Sequence, residues 1–105
     1  MRQAGPVIVA FSIAPAGADD TGGVSEAVSA AVRLVRASGL SHQTNAMFTN
    51  LEGEWDEVMA VVKACVELLA ATSPRVSLVL KADIRPGYVG QLAAKVARVD
   101  ELLGD

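Results

Sequence analysis

Two stretches of this chain set charged and amide side chains at the ends of segments that otherwise alternate like β-strands. The first is Thr49-Asn50-Leu51-Glu52-Gly53-Glu54 and the second is Lys81-Ala82-Asp83-Ile84-Arg85-Pro86-Gly87. A hydrophobic core has no use for acids at such places, because burying an unpaired charge is costly. Carboxylates beside amides and hydroxyls suit the holding of something small, polar and cationic. Other chemistry is poorly supplied. His42 is the single histidine and Cys65 the single cysteine, on different segments, so no metal-ligand spacing is present. A Ser-His-acid triad would have to use His42 with a serine outside any nucleophile motif. The glycine-rich run from Gly17 to Gly23 precedes a helical pattern and is read as a connector. It matches neither the P-loop nor the dinucleotide fingerprint. No acid–base pair stands out, so a small enzyme with a carboxylate base ranks below a binding protein. No metal and no cofactor are implied.

The elements that must position these residues follow from periodicity. Strand one covers Pro6 to Ala14, with bulky Val7, Val9, Phe11 and Ile13 alternating against Ile8, Ala10, Ser12 and Ala14. Pro15, lacking a ladder donor, is expected to stop it. Helix one runs from Val24 to Ala37, with Val24, Ala27, Val28, Ala31, Leu34 and Val35 on one face. Arg33 and Arg36 suit its C-terminal dipole, and Gly39 closes it. Residues 40–53 read as a hairpin, Leu40 to Thr44 and Phe48 to Glu52, turning near Asn45-Ala46-Met47. One continuous bent strand is the competing reading. Helix two runs from Glu54 to Ala71 on a stripe of Trp55, Val58, Met59, Val62, Cys65, Val66 and Leu69. Its first turn is acidic, and Thr72-Ser73-Pro74 ends it. In that stripe Cys65 is a packed small hydrophobe and not a catalytic thiol. The last strand, Arg75 to Ile84, points Val76, Leu78, Leu80, Ala82 and Ile84 one way and Ser77, Val79, Lys81, Asp83 and Arg85 the other. Pro86-Gly87 breaks it, and an amphipathic helix follows from Val89 to Leu103. The order β-α-β-β-α-β plus a helix is the split β-α-β pattern of α+β ferredoxin-like folds.

Length and composition set the frame. The 105 residues make one domain, 1–105. Half of them are hydrophobic (51%), but with only one Trp, one Tyr and two Phe. So small a body cannot bury all that aliphatic surface alone, and self-association into a homo-oligomer through an apolar face is expected. The net charge of −3 and the absence of a basic stripe argue against nucleic acid. A lone cysteine fits a reducing compartment. The N-terminal run resembles a signal peptide, but its alternation is that of a strand, so the protein is expected to be cytoplasmic. No run approaches the ~20 apolar residues of a membrane span.

In a ferredoxin-like domain both core helices cover one sheet face and leave the other open. Parity then places Ser12, Asn50, Glu52, Lys81 and Asp83 on the open face, with Ile8, Val79 and Phe48 as an apolar floor. An apolar pocket with a few convergent polar groups is the usual form of a small-molecule site. A solvated sheet face, with Lys81 and Asp83 as ordinary cross-strand partners, accounts for the same residues.

Four segments together are similar to a known family. They are Phe11-Ser12-Ile13-Ala14-Pro15-Ala16-Gly17, the helix from Val24-Ser25-Glu26 to Gly39-Leu40, Met47-Phe48-Thr49-Asn50-Leu51-Glu52-Gly53, and Ser77 to Gly87 with its Lys-x-Asp-x-Arg run. In order and spacing, from about Val7 to Leu103, the chain resembles the YkoF-related thiamine-binding proteins. The resemblance implies a ferredoxin-like domain that pairs into dimers and tetramers and binds thiamine or its hydroxymethylpyrimidine part without a reaction. It carries Ser12, Thr49, Glu52 and Asp83 over as ligand neighbours. Where the family often has Gly-Pro before the methionine, this chain has Asn45-Ala46. For such a ligand Glu52 or Asp83 would attract the permanent positive charge. Ser12, Asn45 or Thr49 would meet the aminopyrimidine.

Overall fold

The computed structural model describes residues 6–16, 23–45, 47–84 and 90–103. Its elements run β1 (Pro6–Ala16), α1 (Gly23–Ala37), β2 (Ser41–Thr44), β3 (Thr49–Glu54), α2 (Trp55–Ala70), β4 (Arg75–Ile84) and α3 (Gln91–Leu102). The four strands form one antiparallel sheet in the order β2-β3-β1-β4. This is the α+β ferredoxin-like architecture expected from the sequence, with an added C-terminal helix. The expected loop from Ala16 to Gly23, the Pro86-Gly87 break and the Val89 start of the last helix fall largely outside the described residues.

The alternation of β1 sets the core. Val7, Val9, Phe11 and Ile13 are buried beneath α1 and α2. Leu51 of β3 stands opposite Val9 and is completely buried. From α2, Val58, Val62, Cys65 and Leu69 close over them, as the helical stripe predicts. The Cys65 thiol donates to the Ala31 carbonyl of α1 (3.7 Å), tying the two helices together. Burial raises its pKa above 9.0. Ser38 and Gly39 end α1. The Ser38 hydroxyl donates to the Val35 carbonyl (2.6 Å), and Gly39 takes a φ of 79° that a side chain would resist. Gly53 faces inward at a close approach, where a Cβ would lie 3.2 Å from Leu40 Cδ2 and 3.4 Å from Val58 Cγ2. The residue after Glu52 is thus small so that α2 can start directly over the sheet.

Several expectations are corrected. β1 does not stop at Pro15 but continues to Ala16, with Pro15 opposite Val76. Pairing with β3 ends at Phe11, so from Ser12 onward β1 has β4 on one flank only, where a missing donor is tolerated. Glu54 ends β3 and serves as N-cap of α2, which begins at Trp55. Val28, expected to be buried, is 36% exposed at the rim of α1. Leu78 and Ile84 keep the predicted parity but are 41% and 48% exposed, on a strand at the edge of the sheet. The hairpin reading holds, with Thr44 opposite Thr49.

Leu51→Ala should cost about 2–5 kcal/mol in urea denaturation, the range for a fully buried leucine. The Cys65 thiol gives a pH signature. Its folded pKa lies above the unfolded value, so its contribution is whole below about pH 9 and is lost as pH rises and the unfolded thiol ionises. The stability gap between the wild type and Cys65→Ala should therefore narrow between about pH 8 and pH 10.

Candidate functional site

The sheet register arranges the side chains on the face away from α1 and α2 into cross-strand rows. One row reads Ser41, Glu52, Ile8, Asp83 and the next Gln43, Asn50, Ala10, Lys81. Ser12 and Val79 pair one step further along. The outward residues of β1 shrink from Ile8 to Ala10, Ser12 and Ala14, so its middle is a trough between polar walls. Glu52 and Asp83 flank Ile8, about 10 Å apart across two strand spacings.

The last helix lies on this face. It contacts β2 and β3, and a cleft opens on either side of it. The cleft towards β4 has a volume of about 610 Å³ and is lined by Ile8, Ala10, Gln43, Asn45, Asn50, Lys81, Ala82, Asp83, Leu92, Lys95 and Val96. That size is within the range of small-molecule sites. The second, of about 550 Å³, runs along β2 past His42, Glu52 and Asp100.

Glu52 is buried, and its Oε1 accepts the backbone N–H of Leu92 (3.4 Å) in the first turn of α3. Gly90, the N-cap of that helix, has no side chain to do this. The carboxylate on β3 therefore satisfies a free donor at the positive end of the helix dipole from 40 residues away. Asp83 forms an ion pair with Lys95 of α3. Both partners are about half exposed, so the pair orients the helix more than it stabilises the fold. The expected cross-strand partnership of Lys81 with Asp83 is not what forms. They share one strand, and Lys95 takes the carboxylate.

A third, smaller pocket of about 280 Å³ opens where β3 stops pairing with β1. Ser12, Asn45, Thr49, Phe48 and Met47 line it together with Phe11 and Val28. Asn45 builds its wall. The Asn45 Oδ1 accepts the N–H groups of Met47 and Phe48 (2.9 Å each), and the Asn45 N–H donates to the Phe48 carbonyl (2.9 Å). These bonds close an Asx turn. Asn45 is also the residue shared by this pocket and the 610 Å³ cleft.

The five residues singled out from the sequence thus fall into groups. Ser12, Asn45 and Thr49 line the edge pocket, Asn45 and Asp83 the larger cleft, and Glu52 the cleft along β2. Thr49 is buried on the helix side of the sheet, and Asn50 beside it faces the open side. Phe48 and Val79 do not join the floor of the larger cleft; Ile8 does. Gln43 and Lys95 were missed. The alternation of β2 could have found Gln43, whereas nothing local shows that α3 crosses this face. Among the described residues no group of His, Cys, Asp and Glu could hold a metal ion, and no helix is long and apolar enough to cross a membrane.

The fold and these clefts define a ferredoxin-like domain with room for a small molecule on the sheet face opposite its core helices. The chain belongs to the thiamine-binding protein family, whose model matches residues 9–100. A UPF0045 protein of Mycobacterium bovis is 53% identical over 98 residues, spanning 92% of this chain and 94% of the relative. A hypothetical protein of Methanocaldococcus jannaschii has a similar solved structure, with a TM-score of 0.80 and 30% identity over 91% of this chain and 97% of that one. A Thermotoga maritima protein assigned provisionally to thiamine biosynthesis or salvage superimposes with a TM-score of 0.73 and 25% identity, over 87% of this chain and 98% of that one.

The Glu52 contact makes a testable claim. Glu52→Ala removes a long hydrogen bond of about 0.5–1.5 kcal/mol, which corresponds to about two- to tenfold in a local opening equilibrium. Hydrogen exchange at the α3 amides should accelerate by that factor, with α1 and α2 unchanged.

Proposed function

We propose that this protein binds thiamine or its hydroxymethylpyrimidine moiety, without turning it over, in the cytoplasm and as a homodimer or homotetramer. The observation that carries this reading is the 610 Å³ cleft, which sets the Asp83 carboxylate beside the amides of Asn45 and Asn50 over a small-residue floor, in a family that takes its name from thiamine binding. The thiazolium of thiamine lies in the larger cleft, where it shares the Asp83 carboxylate with Lys95. The edge pocket, where Ser12, Asn45, Thr49 and the main chain of β1 offer donors and acceptors, suits the free hydroxymethylpyrimidine. Glu52 supports this arrangement by holding α3 in place as the cleft's wall.

Isothermal calorimetry with thiamine should give a Kd of about 1 μM, or roughly −8 kcal/mol. Absence of both heat and thermal shift at millimolar thiamine and hydroxymethylpyrimidine would sink the reading. Asp83→Asn should weaken thiamine about tenfold by removing the charge-assisted contact, with less effect on hydroxymethylpyrimidine, which carries no thiazolium.

A second reading, an assembly module with no ligand, is favoured by the exposed apolar side chains. Val79 on the edge strand, Val96, Val99 and Leu102 on α3 and Leu103 at its C-cap are 47–70% exposed. Such surface marks an interaction site. In the first reading the same surface pairs subunits around the ligand. Multi-angle light scattering should give a dimer or tetramer mass, and Val79→Lys should lower it. A monomer at all concentrations would overturn the oligomeric part.

A further inference from the structure

The larger cleft contains a charge that binding of a simple cation does not use. Lys81 stands on β4 two residues before Asp83, on the same face, and both line the cleft. Asp83 is engaged by Lys95, yet the Lys81 ammonium makes no ion pair or hydrogen bond with any described residue. An ammonium placed beside a cation site works against the cation, unless the ligand brings an anion of its own. The register gives that anion a place. In this cleft one row carries Asp83, whose carboxylate Lys95 shares from α3, and the adjacent row holds Lys81 with the amides of Asn50 and Gln43. Two residues along a strand separate the rows by about 7 Å.

We infer that the cleft is built for a phosphorylated organic cation, with the cationic ring over the Asp83 row and the phosphate over the Lys81 row. This rests on the reading of the cleft as a thiamine site and names the form of the ligand it prefers. The phosphate ester of thiamine hangs from a two-carbon arm on the cationic thiazolium ring, a spacing comparable to the repeat between the two rows. Lysine suits this role as a point charge for phosphate oxygens, and the neighbouring amide groups add donors. The cleft is also roomier than the edge pocket by more than twofold, about 610 against 280 Å³, which leaves space beyond a single ring.

Calorimetry at low salt with thiamine and with thiamine monophosphate tests this on the wild type, Lys81→Met and Lys81→Arg. Methionine keeps much of the apolar stem of this exposed side chain, so the fold is not at stake. The monophosphate should bind the wild type about tenfold more tightly than thiamine, as expected for one charge-assisted contact. The difference should shrink at high salt. In Lys81→Met it should fall below about twofold while thiamine affinity holds or rises, since a repelling charge is gone. Lys81→Arg should restore it. Thiamine binding with no preference for the monophosphate, or a preference that survives Lys81→Met, overturns this inference and leaves the thiamine reading standing. Binding of neither compound overturns both.

Discussion

The pairing of Leu51 with Val9 governs much of the rest of the structure. It seals the centre of the sheet against α2, and it fixes which way every other residue of β3 points. With Leu51 inward, Gly53 must also face inward, where even a Cβ would crowd the side chains of Leu40 and Val58. Asn50 and Glu52 must then face outward. A shift of one residue would bury a glutamate and an asparagine under aliphatic helices, at a cost no small domain could sustain. The chemistry of the open face is therefore a by-product of how the core closes.

The last helix depends on the same pairing. It lies on the sheet with much of its apolar surface exposed, and what fixes its start is a carboxylate that β3 parity delivers to its first turn. One acidic residue therefore connects the interior of the sheet to the outer wall of a cleft. An acid at this place explains itself structurally before any ligand is considered. Asp83 is in a similar position, since Lys95 already occupies it. Both acids serve the architecture of the cleft as well as its polarity.

The elements were legible because their signals are local. Strand alternation in β1 and β4 and the apolar stripe of α2 are carried by residues close together in sequence. The open-face set of Ser12, Asn50, Glu52, Lys81 and Asp83 followed from parity alone. What escaped was non-local. Pro15 reads as a stop unless one knows that β3 ends at Phe11 and leaves that flank unpaired. Phe48 reads as floor unless the Asx turn of Asn45 is known to carry it away from the strand. The pairing of Asp83 with Lys95 joins residues on separate elements, and no periodicity records it. The link to thiamine came from family resemblance, since the charges by themselves specify only a polar, partly acidic surface.

The early end of β3 has a consequence for how the protein could vary. Past Phe11, one flank of β1 presents peptide groups to the edge pocket with no strand beside them. Every residue type supplies the same carbonyl, and all but Pro15 supply the same amide. Contacts made there belong to the course of the chain and are indifferent to the side chains along it. A wall of that kind can survive extensive substitution, so divergent descendants could keep it while little of their sequence remained in common.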